Sequence, residues 1–410
     1  MLNSSIRYEQ GRLLCDGVSL AEIAAQAGTP VYVYSTIRML SNLRRIQAAF
    51  PNAHIHYSAK ANANLSILKT LIDAGAGIDA VSAGEIHRAL LAGVRPENIV
   101  FAGVGKTGQE LFYALSRGVG WFNVENVEEL RLLNSMVGTA ISSARVALRL
   151  NPDVAANTHR HIATGHGKAK FGLNADTIRA ILTHQDDYPN LRFNGIHIHI
   201  GSQLHDAEGT KAALRAALDL IDPFPEITTV NIGGGLPVAY STDESLPSIE
   251  SFAASILPLL DGYDVILEPG RSIIADAGIL VARVQYVKDQ GGAKFAILDA
   301  GMTELIRPAL YEAHHEIVPL VEKDGGRELF QVVGPVCETT DVLGRDVSLP
   351  LLEAGDCLAM LTAGAYGMVM ASNYNARPRP PEVMVGVDGG TWYIARRRET
   401  WDDLVAAEMR

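Results

Sequence analysis

Short apolar runs alternate with helical patterns between about residues 54 and 270. The runs lie at 55–58, 78–81, 99–102, 121–124, 146–150, 196–200, 230–232 and 265–267. Between them, apolar residues recur every three or four positions, as at Leu214, Leu218 and Ile221, which is the spacing of a helix. Eight strands that alternate with helices predict a parallel (β/α)₈ TIM-like barrel of the α/β class. Periodicity alone also allows a doubly wound open sheet.

The pattern changes after about residue 276, where strand-like runs follow one another without long helices between them. These runs lie at 279–287, 295–298, 317–321, 329–333, 357–361, 383–387 and 392–395. They predict a second, mostly β domain, and the strand-like N-terminal segment could pack with it. We therefore predict a barrel over 32–275 and a β-sheet domain formed by 1–31 and 276–410. The stretch 151–172, rich in His, Gly and Lys, is predicted to be a loop over the barrel mouth.

Composition excludes several classes of function. The chain has 410 residues, 48% of them hydrophobic, and a formal net charge of -11, which disfavours a nucleic-acid partner. Cys15, Cys337 and Cys357 are too few and too widely spaced for a disulfide framework or a zinc cluster. No signal-like segment and no run of eighteen apolar residues occurs. These features predict a cytoplasmic protein that does not bind membranes.

A lysine stands where the first barrel strand gives way to a helical pattern, in His56-Tyr57-Ser58-Ala59-Lys60-Ala61-Asn62. Catalytic groups of (β/α)₈ barrels occupy this end of a strand. A lysine screened from water there can lose its proton and condense with a carbonyl, including the aldehyde of pyridoxal phosphate. Most lysines are simply exposed to solvent, so this interpretation depends on what the other strand ends carry.

The other strand ends carry groups suited to a phosphate. Gly233, Gly234 and Gly235 follow the seventh run, where they would expose backbone N–H groups at close approach. Ser202 and Arg271, after the sixth and eighth runs, could add a hydroxyl and a fork-shaped cation. The alternative for the three glycines is a tight turn without a ligand.

Two further side chains suit a flat ring. Strand alternation places His197 and His199 on one face, as in a metal pair, but no carboxylate or cysteine cluster lies nearby in sequence, so we predict no metal site. Stacking of His199 on a ring is the favoured role. Glu268 could keep a pyridine nitrogen protonated, or it could only form an ion pair with Arg271.

Candidate groups also occur in the predicted β domain. Cys337 and Glu338 lie in the loop Gly334-Pro335-Val336-Cys337-Glu338, where the thiol could donate a proton, although most cysteines are simply buried, as Cys357 is expected to be. Arg307 and Tyr311 share one face of a helical turn and could bind a carboxylate. Arg307 could equally lie at the surface.

From Tyr57-Ser58-Ala59-Lys60-Ala61-Asn62 to Ser372-Asn373-Tyr374-Asn375-Ala376-Arg377-Pro378-Arg379-Pro380, the motifs follow the order of a known family. The chain resembles, over nearly its whole length, the group IV pyridoxal-phosphate decarboxylases with an alanine-racemase-like fold. The resemblance implies that Lys60 holds pyridoxal 5'-phosphate as a Schiff base, that His199 stacks on its ring and that Glu268 meets its pyridine nitrogen. The rest of the implied cofactor site consists of Ser202, Gly233, Gly234, Gly235, Pro269, Gly270, Arg271 and Tyr366.

The resemblance further implies a head-to-tail homodimer in which the partner subunit supplies Cys337 and Glu338. Cys337 would be the acid that reprotonates the α-carbon. Glu338 would bind a distal ammonium, and Arg307 with Tyr311 a distal carboxylate. The implied substrate-binding residues are Arg271, Arg307, Tyr311, Glu338 and Tyr366.

Within this family, a distal ammonium and carboxylate together favour meso-2,6-diaminopimelate, which would be decarboxylated to L-lysine and CO₂ in the last step of lysine biosynthesis. The alternative is decarboxylation of another amino acid on the same scaffold, of the ornithine or arginine type, a carboxylated polyamine or a carrier-bound glutamate. A catalytically idle cofactor-binding homologue is a further alternative, which Lys60 and Cys337 argue against.

Overall fold

The computed structural model describes residues 1–137, 143–154, 170–388 and 390–409. Its strands are β1 (Ile6–Glu9), β2 (Arg12–Cys15), β3 (Val18–Ser19), β4 (Val31–Ser35), β5 (Ala53–Ser58), β6 (Gly77–Ala80), β7 (Ile99–Phe101), β8 (Trp121–Val124), β9 (Ala144–Leu150), β10 (Leu191–Ile198), β11 (Thr229–Asn231), β12 (Asp264–Leu267), β13 (Gly278–Gln290), β14 (Ala293–Leu298), β15 (Ile317–Pro319), β16 (Arg327–Val333), β17 (Val342–Pro350), β18 (Cys357–Met360), β19 (Glu382–Val385) and β20 (Trp392–Arg396). Its α-helices are α1 (Leu20–Ala27), α2 (Thr36–Ala49), α3 (Leu65–Asp73), α4 (Ala83–Leu91), α5 (Gly108–Arg117), α6 (Val127–Met136), α7 (Ala175–Thr183), α8 (Glu208–Ile221), α9 (Ile249–Ile256), α10 (Arg271–Ile274), α11 (Arg307–Tyr311) and α12 (Trp401–Val405).

The described chain divides into two compact units. One comprises Met1–Asn42, Ala239–Ser245 and Ile273–Arg410, and the other comprises Leu43–Val238 and Leu246–Ser272. We call the first the β unit and the second the barrel unit.

In the barrel unit, strands β5 to β12 form a closed parallel barrel. Neighbouring strands pair in chain order, and β12 closes the ring on β5 through pairs such as Leu267 with Ile55. The predicted (β/α)₈ barrel is therefore confirmed, and the open sheet is excluded. The strands form because their short apolar runs are buried on both faces, and every residue of β6 and β8 is buried.

Helix caps fix the loops at the C-terminal ends of the barrel strands. Asn64, Ser82, Thr107 and Asn126 each stand directly before a helix, and their side chains accept a hydrogen bond from a backbone N–H of its first turn. These caps begin α3, α4, α5 and α6 soon after the preceding strands end. The loops that follow β5, β6, β7 and β8 are consequently short.

The β unit contains a nine-stranded sheet around the long strand β13, which pairs with β4 and β18 in its first half and with β14 in its second. Strands β1 to β3 and helix α1 pack on this sheet through Ile6, Leu13 and Leu20, which share a core with Val33 and Ile279. A mostly β domain that includes the N-terminal segment is thus confirmed. The sequence missed β17, because Gly344, Arg345 and Asp346 interrupt its apolar pattern.

Strand β4 belongs to the large sheet, pairing with β13 and β19. The domain limits of 32–275 and of 1–31 with 276–410 stay a prediction. Most of the predicted mouth loop, residues 155–169, lies outside the described residues. In the part of the chain that the structure describes, no helix has the length and apolar character needed to cross a membrane.

Candidate active site

Lys60 lies at the mouth of the barrel, in the single 3₁₀ turn Ala59–Ala61 that follows β5. Its Nζ is 3.4 Å from Oδ2 of Asp79 at the end of β6. The hydroxyl of Ser58 donates to the same oxygen. Gly270 lies against this turn, where a Cβ atom would come within 2.9 Å of the Ser58 Cβ. The strand end therefore positions the Lys60 amine beside a carboxylate.

Asp79 is fully buried. Burial raises its pKa, the charge of Glu268 raises it further, and the Lys60 charge and the Ser58 hydrogen bond oppose the rise. Within the described structure its Oδ1 has no hydrogen-bond partner. Asp79 is thus suited to hold a proton next to the Lys60 amine.

Glu268 follows β12 and is held inside the mouth by two amides. Its Oε1 accepts hydrogen bonds from Asn123 Nδ2 at 2.9 Å and from Asn231 Nδ2 at 2.6 Å. Its Oε2 lies 3.5 Å from Nε2 of His197. Burial acts to raise the pKa of Glu268, but His197, Lys60 and the Asn231 hydrogen bond together lower it below its usual value. The group is a fixed, buried carboxylate that can accept a hydrogen bond from a cationic N–H.

A backbone cradle lies beside Glu268. Gly233 and Gly235 have φ values of +65° and +108°, which favour glycine. A Cβ atom on Gly233 would lie 2.6 Å from Nδ1 of His199, and one on Gly234 would lie 2.6 Å from the Glu268 carbonyl oxygen. The positive φ values and these close approaches explain why glycine occupies this segment.

Arg271 and Ser202 meet in the same unit. Arg271, which is buried, begins α10, and its Nε donates to Ser202 Oγ at 3.3 Å. The pair brings together the guanidinium and the hydroxyl that the sequence assigned to a phosphate. Their chemistry, with the glycine backbone, fits a phosphate group.

His199 accepts a hydrogen bond at Nδ1 from the Gly234 N–H, 3.2 Å away. Burial, with the charges of Arg149 and Lys60, lowers its pKa well below the usual value. We infer a neutral ring with its proton on Nε2, which suits stacking on a flat cofactor. No group of three or more His, Cys, Asp or Glu that could hold a metal ion occurs among the described residues.

Sequence reasoning missed four buried polar residues of the mouth: Asp79, Asn123, His197 as a partner of Glu268, and Asn231. A signal was available for three of them. Each lies inside a strand whose other residues are buried, and polar groups in such positions need partners. Which partners they have depends on closure of the barrel.

In the β unit, Arg307 is 6% exposed, so the surface interpretation is wrong. Its Nη1 donates to the Tyr240 hydroxyl at 2.7 Å, and its guanidinium lies 4.7 Å from the centre of the Tyr240 ring. Tyr311, at the other end of α11, is half-buried, as is Tyr366, which has a φ of +57°. Tyr240 carries no sequence signal, because it comes from the separate segment Ala239–Ser245.

Cys337 and Glu338 are exposed in the β unit, in a loop fixed by Asp341. The Asp341 carboxylate accepts hydrogen bonds from the N–H groups of Val336 at 2.7 Å and Met302 at 2.6 Å. Cys337 is therefore not one of the buried cysteines. Cys357, expected to be buried, is half-buried.

Glu85 provides a test of the electrostatics near Lys60. Burial raises the pKa of this half-buried carboxyl from 4.5 to about 7, the charge of Asp79 adds to the rise, and the hydrogen bond from Val81 N–H and the Lys60 charge oppose it. Between pH 4.5 and about pH 7 the folded protein binds more protons than the unfolded chain, so the free energy of unfolding falls as the pH rises through this range. We expect Glu85→Gln to raise this free energy at pH 8 by about 2 kcal/mol and to leave it almost unchanged at pH 4.

Urea denaturation at the two pH values measures this difference. The exposed Glu128 offers a matched control, and Glu128→Gln should change little at either pH. Equal stability of Glu85→Gln and the unchanged protein at pH 8 would contradict the pKa shift.

Comparison with known proteins agrees with this geometry. Residues 37–275 match the family model described as pyridoxal-dependent decarboxylase, pyridoxal binding domain. The chain is 42% identical to diaminopimelate decarboxylase of Aquifex aeolicus, over 99% of this chain and 98% of that protein. It is 43% identical to the enzyme of that name from Vibrio cholerae, over 98% and 97%. It also resembles the crystal structure of diaminopimelate decarboxylase from Helicobacter pylori complexed with L-lysine, with a TM-score of 0.90 and 36% identity over 95% of this chain and 98% of that one.

Proposed function

This chain belongs to the diaminopimelate decarboxylase family of pyridoxal-dependent decarboxylases, and from that premise we propose that it converts meso-2,6-diaminopimelate to L-lysine and CO₂. The observation that carries the proposal is the buried Glu268, held by two amides at the same barrel mouth as Lys60. A reactive amine and a fixed carboxylate at one mouth are what this chemistry needs from the protein.

We assign the cofactor to the barrel mouth. Pyridoxal 5'-phosphate supplies, when bound, an aldehyde for the amine and an electron-withdrawing ring that accepts the electron pair left by decarboxylation. Lys60 would hold the aldehyde carbon, His199 would cover the ring, and Glu268 would accept a hydrogen bond from the ring nitrogen. The rest of the proposed cofactor site consists of Ser202, Gly233, Gly234, Gly235, Pro269, Gly270, Arg271 and Tyr366.

Two carboxylates would divide the proton chemistry of the mouth. Glu268, with a lowered pKa, stays ionised and keeps a cationic N–H opposite it. Asp79, with a raised pKa and 3.4 Å from Lys60 Nζ, can take or return the proton that the amine exchanges with substrate. The different surroundings of the two carboxyl groups lower the pKa of Glu268 and raise that of Asp79, so one can stay ionised while the other exchanges a proton.

Cys337 would act as the acid that delivers a proton to the α-carbon, and Glu338 would bind the distal ammonium, both reaching the site of a partner subunit in a homodimer. An apolar surface adjoins their loop and supports this assembly. Tyr286 and Leu329 are 69% and 59% exposed, and Phe295, Ile297 and Val333 are partly exposed on the same sheet face. Strand β16, which contributes to this face, leads directly into the Cys337 loop. We therefore propose that a second copy of the chain covers this apolar face.

Arg307 is proposed to bind the distal carboxylate, with Tyr311 beside it and Tyr240 holding the guanidinium. We expect Arg307→Gln to raise the KM for meso-diaminopimelate by about 10²-fold, because a bidentate charged contact is lost, and to spare any activity on substrates without that carboxylate. Arg307→Lys should recover little, since an ammonium lacks the planar fork. Steady-state kinetics checks the effect, and the exposed Arg345 gives the control Arg345→Gln. An unchanged KM would count against this role.

The direct test of the proposed function is CO₂ release with added pyridoxal phosphate from meso-diaminopimelate, ornithine, arginine and lysine. Release from meso-diaminopimelate alone supports the proposal. Release from another amino acid would keep the cofactor site and discard the roles of Arg307 and Glu338. Cofactor absorbance without any CO₂ release would identify an idle homologue.

We also propose that the protein works in the cytoplasm. The support is its three cysteines, all free, which suit a reducing compartment.

A further inference from the structure

The turn Tyr374–Ala376 lies against the Cys337 loop within the β unit, and the proposed function has so far given it no role. It belongs to the Ser372-Asn373-Tyr374-Asn375 motif. Asn375 and Ala376 have φ values of +56° and +53°, a left-handed conformation that asparagine adopts more readily than other non-glycine residues and that is uncommon for alanine. The turn therefore has an uncommon backbone shape.

One contact of the turn reaches Glu338. The Tyr374 hydroxyl donates a hydrogen bond to Oε1 of Glu338 at 2.7 Å. This bond and the carboxylate charge raise the pKa of Tyr374, so the phenol remains a donor at neutral pH. A carboxylate on an exposed loop has several rotamers, and a phenol at this distance selects one of them.

The next residue of the turn reaches Cys337. Nδ2 of Asn375 lies 3.5 Å from the Cys337 sulfur and donates to it. Adjacent residues of one turn thus contact adjacent residues of the other loop, Tyr374 with Glu338 and Asn375 with Cys337.

The turn is itself anchored away from the loop. Nδ2 of Asn373 donates to Glu399 Oε2 at 2.7 Å and to the Arg377 carbonyl at 3.0 Å. Glu399 is in turn paired with Arg379 at 2.6 Å. A fixed turn can hold a neighbouring loop in place, whereas a mobile one could not.

We propose that Tyr374 and Asn375 are positioning residues, the first orienting Glu338 for the distal ammonium of the substrate and the second orienting the Cys337 sulfur for proton delivery. This inference rests on the proposed function, because it takes the roles of Cys337 and Glu338 from it. The two contacts act on different steps, so the two residues have separable effects.

The Tyr374 contact is tested with Tyr374→Phe, which removes one oxygen atom from a half-exposed side chain. We expect the KM for meso-diaminopimelate to rise about tenfold with kcat unchanged, because a hydrogen bond to a charged group is lost. In a Glu338→Gln background the same substitution should have little further effect. Tyr393→Phe, at a comparably exposed tyrosine of β20, is the matched control.

The Asn375 contact is tested with Asn375→Gly, which deletes the amide while glycine tolerates the left-handed backbone. We expect kcat to fall several-fold with KM unchanged. A second measurement does not need turnover: the rate of Cys337 alkylation by iodoacetamide, followed by mass spectrometry, should change several-fold, with Cys357 in the same sample unaffected.

The outcomes separate the two proposals. Wild-type protein that releases no CO₂ from meso-diaminopimelate overturns the proposed function, while a changed alkylation rate in Asn375→Gly would still support the Asn375 contact. If the wild-type protein is active, two results overturn the positioning roles. One is an unchanged KM in Tyr374→Phe. The other is a fall in kcat and a rise in KM that are the same in both variants.

Discussion

Replacing Lys60 with alanine is expected to lower CO₂ release from meso-diaminopimelate by about 10⁴-fold or more, the largest effect of any single substitution in this protein. The side chain would hold the cofactor covalently at the barrel mouth, next to Asp79 and within the field of Glu268. Without the amine, neither the cofactor's position nor the exchange with substrate is maintained. Kinetics in the presence of excess pyridoxal phosphate, together with absorbance of the bound cofactor, provides the measurement.

One further variant separates the reactive amine from its charge. Lys60→Arg keeps a cation beside Asp79, but a guanidinium does not lose its proton, so this variant should be as inactive as Lys60→Ala. Lys69, an exposed lysine of α3 paired with Asp73, is the matched control, and Lys69→Ala should retain full activity. Substantial activity in Lys60→Arg would show that only the positive charge is needed.

The second-largest effect is expected for Cys337→Ala, with kcat reduced by about 10²- to 10³-fold and KM nearly unchanged. Proton transfer by a positioned side chain contributes about this much, and the thiol is exposed on its loop rather than packed in a core. Steady-state kinetics with Cys357→Ala as the control distinguishes this thiol from the half-buried one. A kcat within threefold of wild type corresponds to a change of about 0.7 kcal/mol in the activation free energy, and it would contradict the role of Cys337.

Mixing two inactive proteins tests whether Cys337 serves the partner's site. If Lys60→Ala and Cys337→Ala exchange subunits, each mixed dimer has one site that lacks both groups and one that is intact. Random exchange then restores about a quarter of wild-type activity, since half of the dimers are mixed. No recovery, with exchange confirmed by mass spectrometry, would place Cys337 in its own subunit's site.

Several parts of the fold were predictable because they depend on local pattern. The eight barrel strands appear in sequence as short, mostly apolar runs, since strands buried on both faces are rich in apolar residues. Seven strands of the β unit were also visible as strand-like runs, although several of them are partly exposed, as β13, β16 and β20 are. Strand β17 was not, because its exposed middle carries Gly344, Arg345 and Asp346.

The residues of the candidate site also fall into those that the sequence could indicate and those that it could not. Lys60, Glu268 and the three glycines could be found from sequence, since each stands where a run ends and all strand ends of a parallel barrel share one face. Arg307 was found, but its burial was not predictable, because its partner Tyr240 comes from a separate segment of the chain.

The sequence by itself determined the order of strands and helices, the reactive side chains at the strand ends and the family, because these are written in residue type and spacing. Only the tertiary structure decided which hydrogen bonds those side chains make and in which direction their pKa values shift. Asn123 and Asn231 come from different strands and meet at Glu268, and Asp79 meets Lys60, once the barrel is closed. Hydrogen bonds and pKa shifts depend on distances of a few ångströms between residues far apart in the chain, and chain folding alone sets those distances.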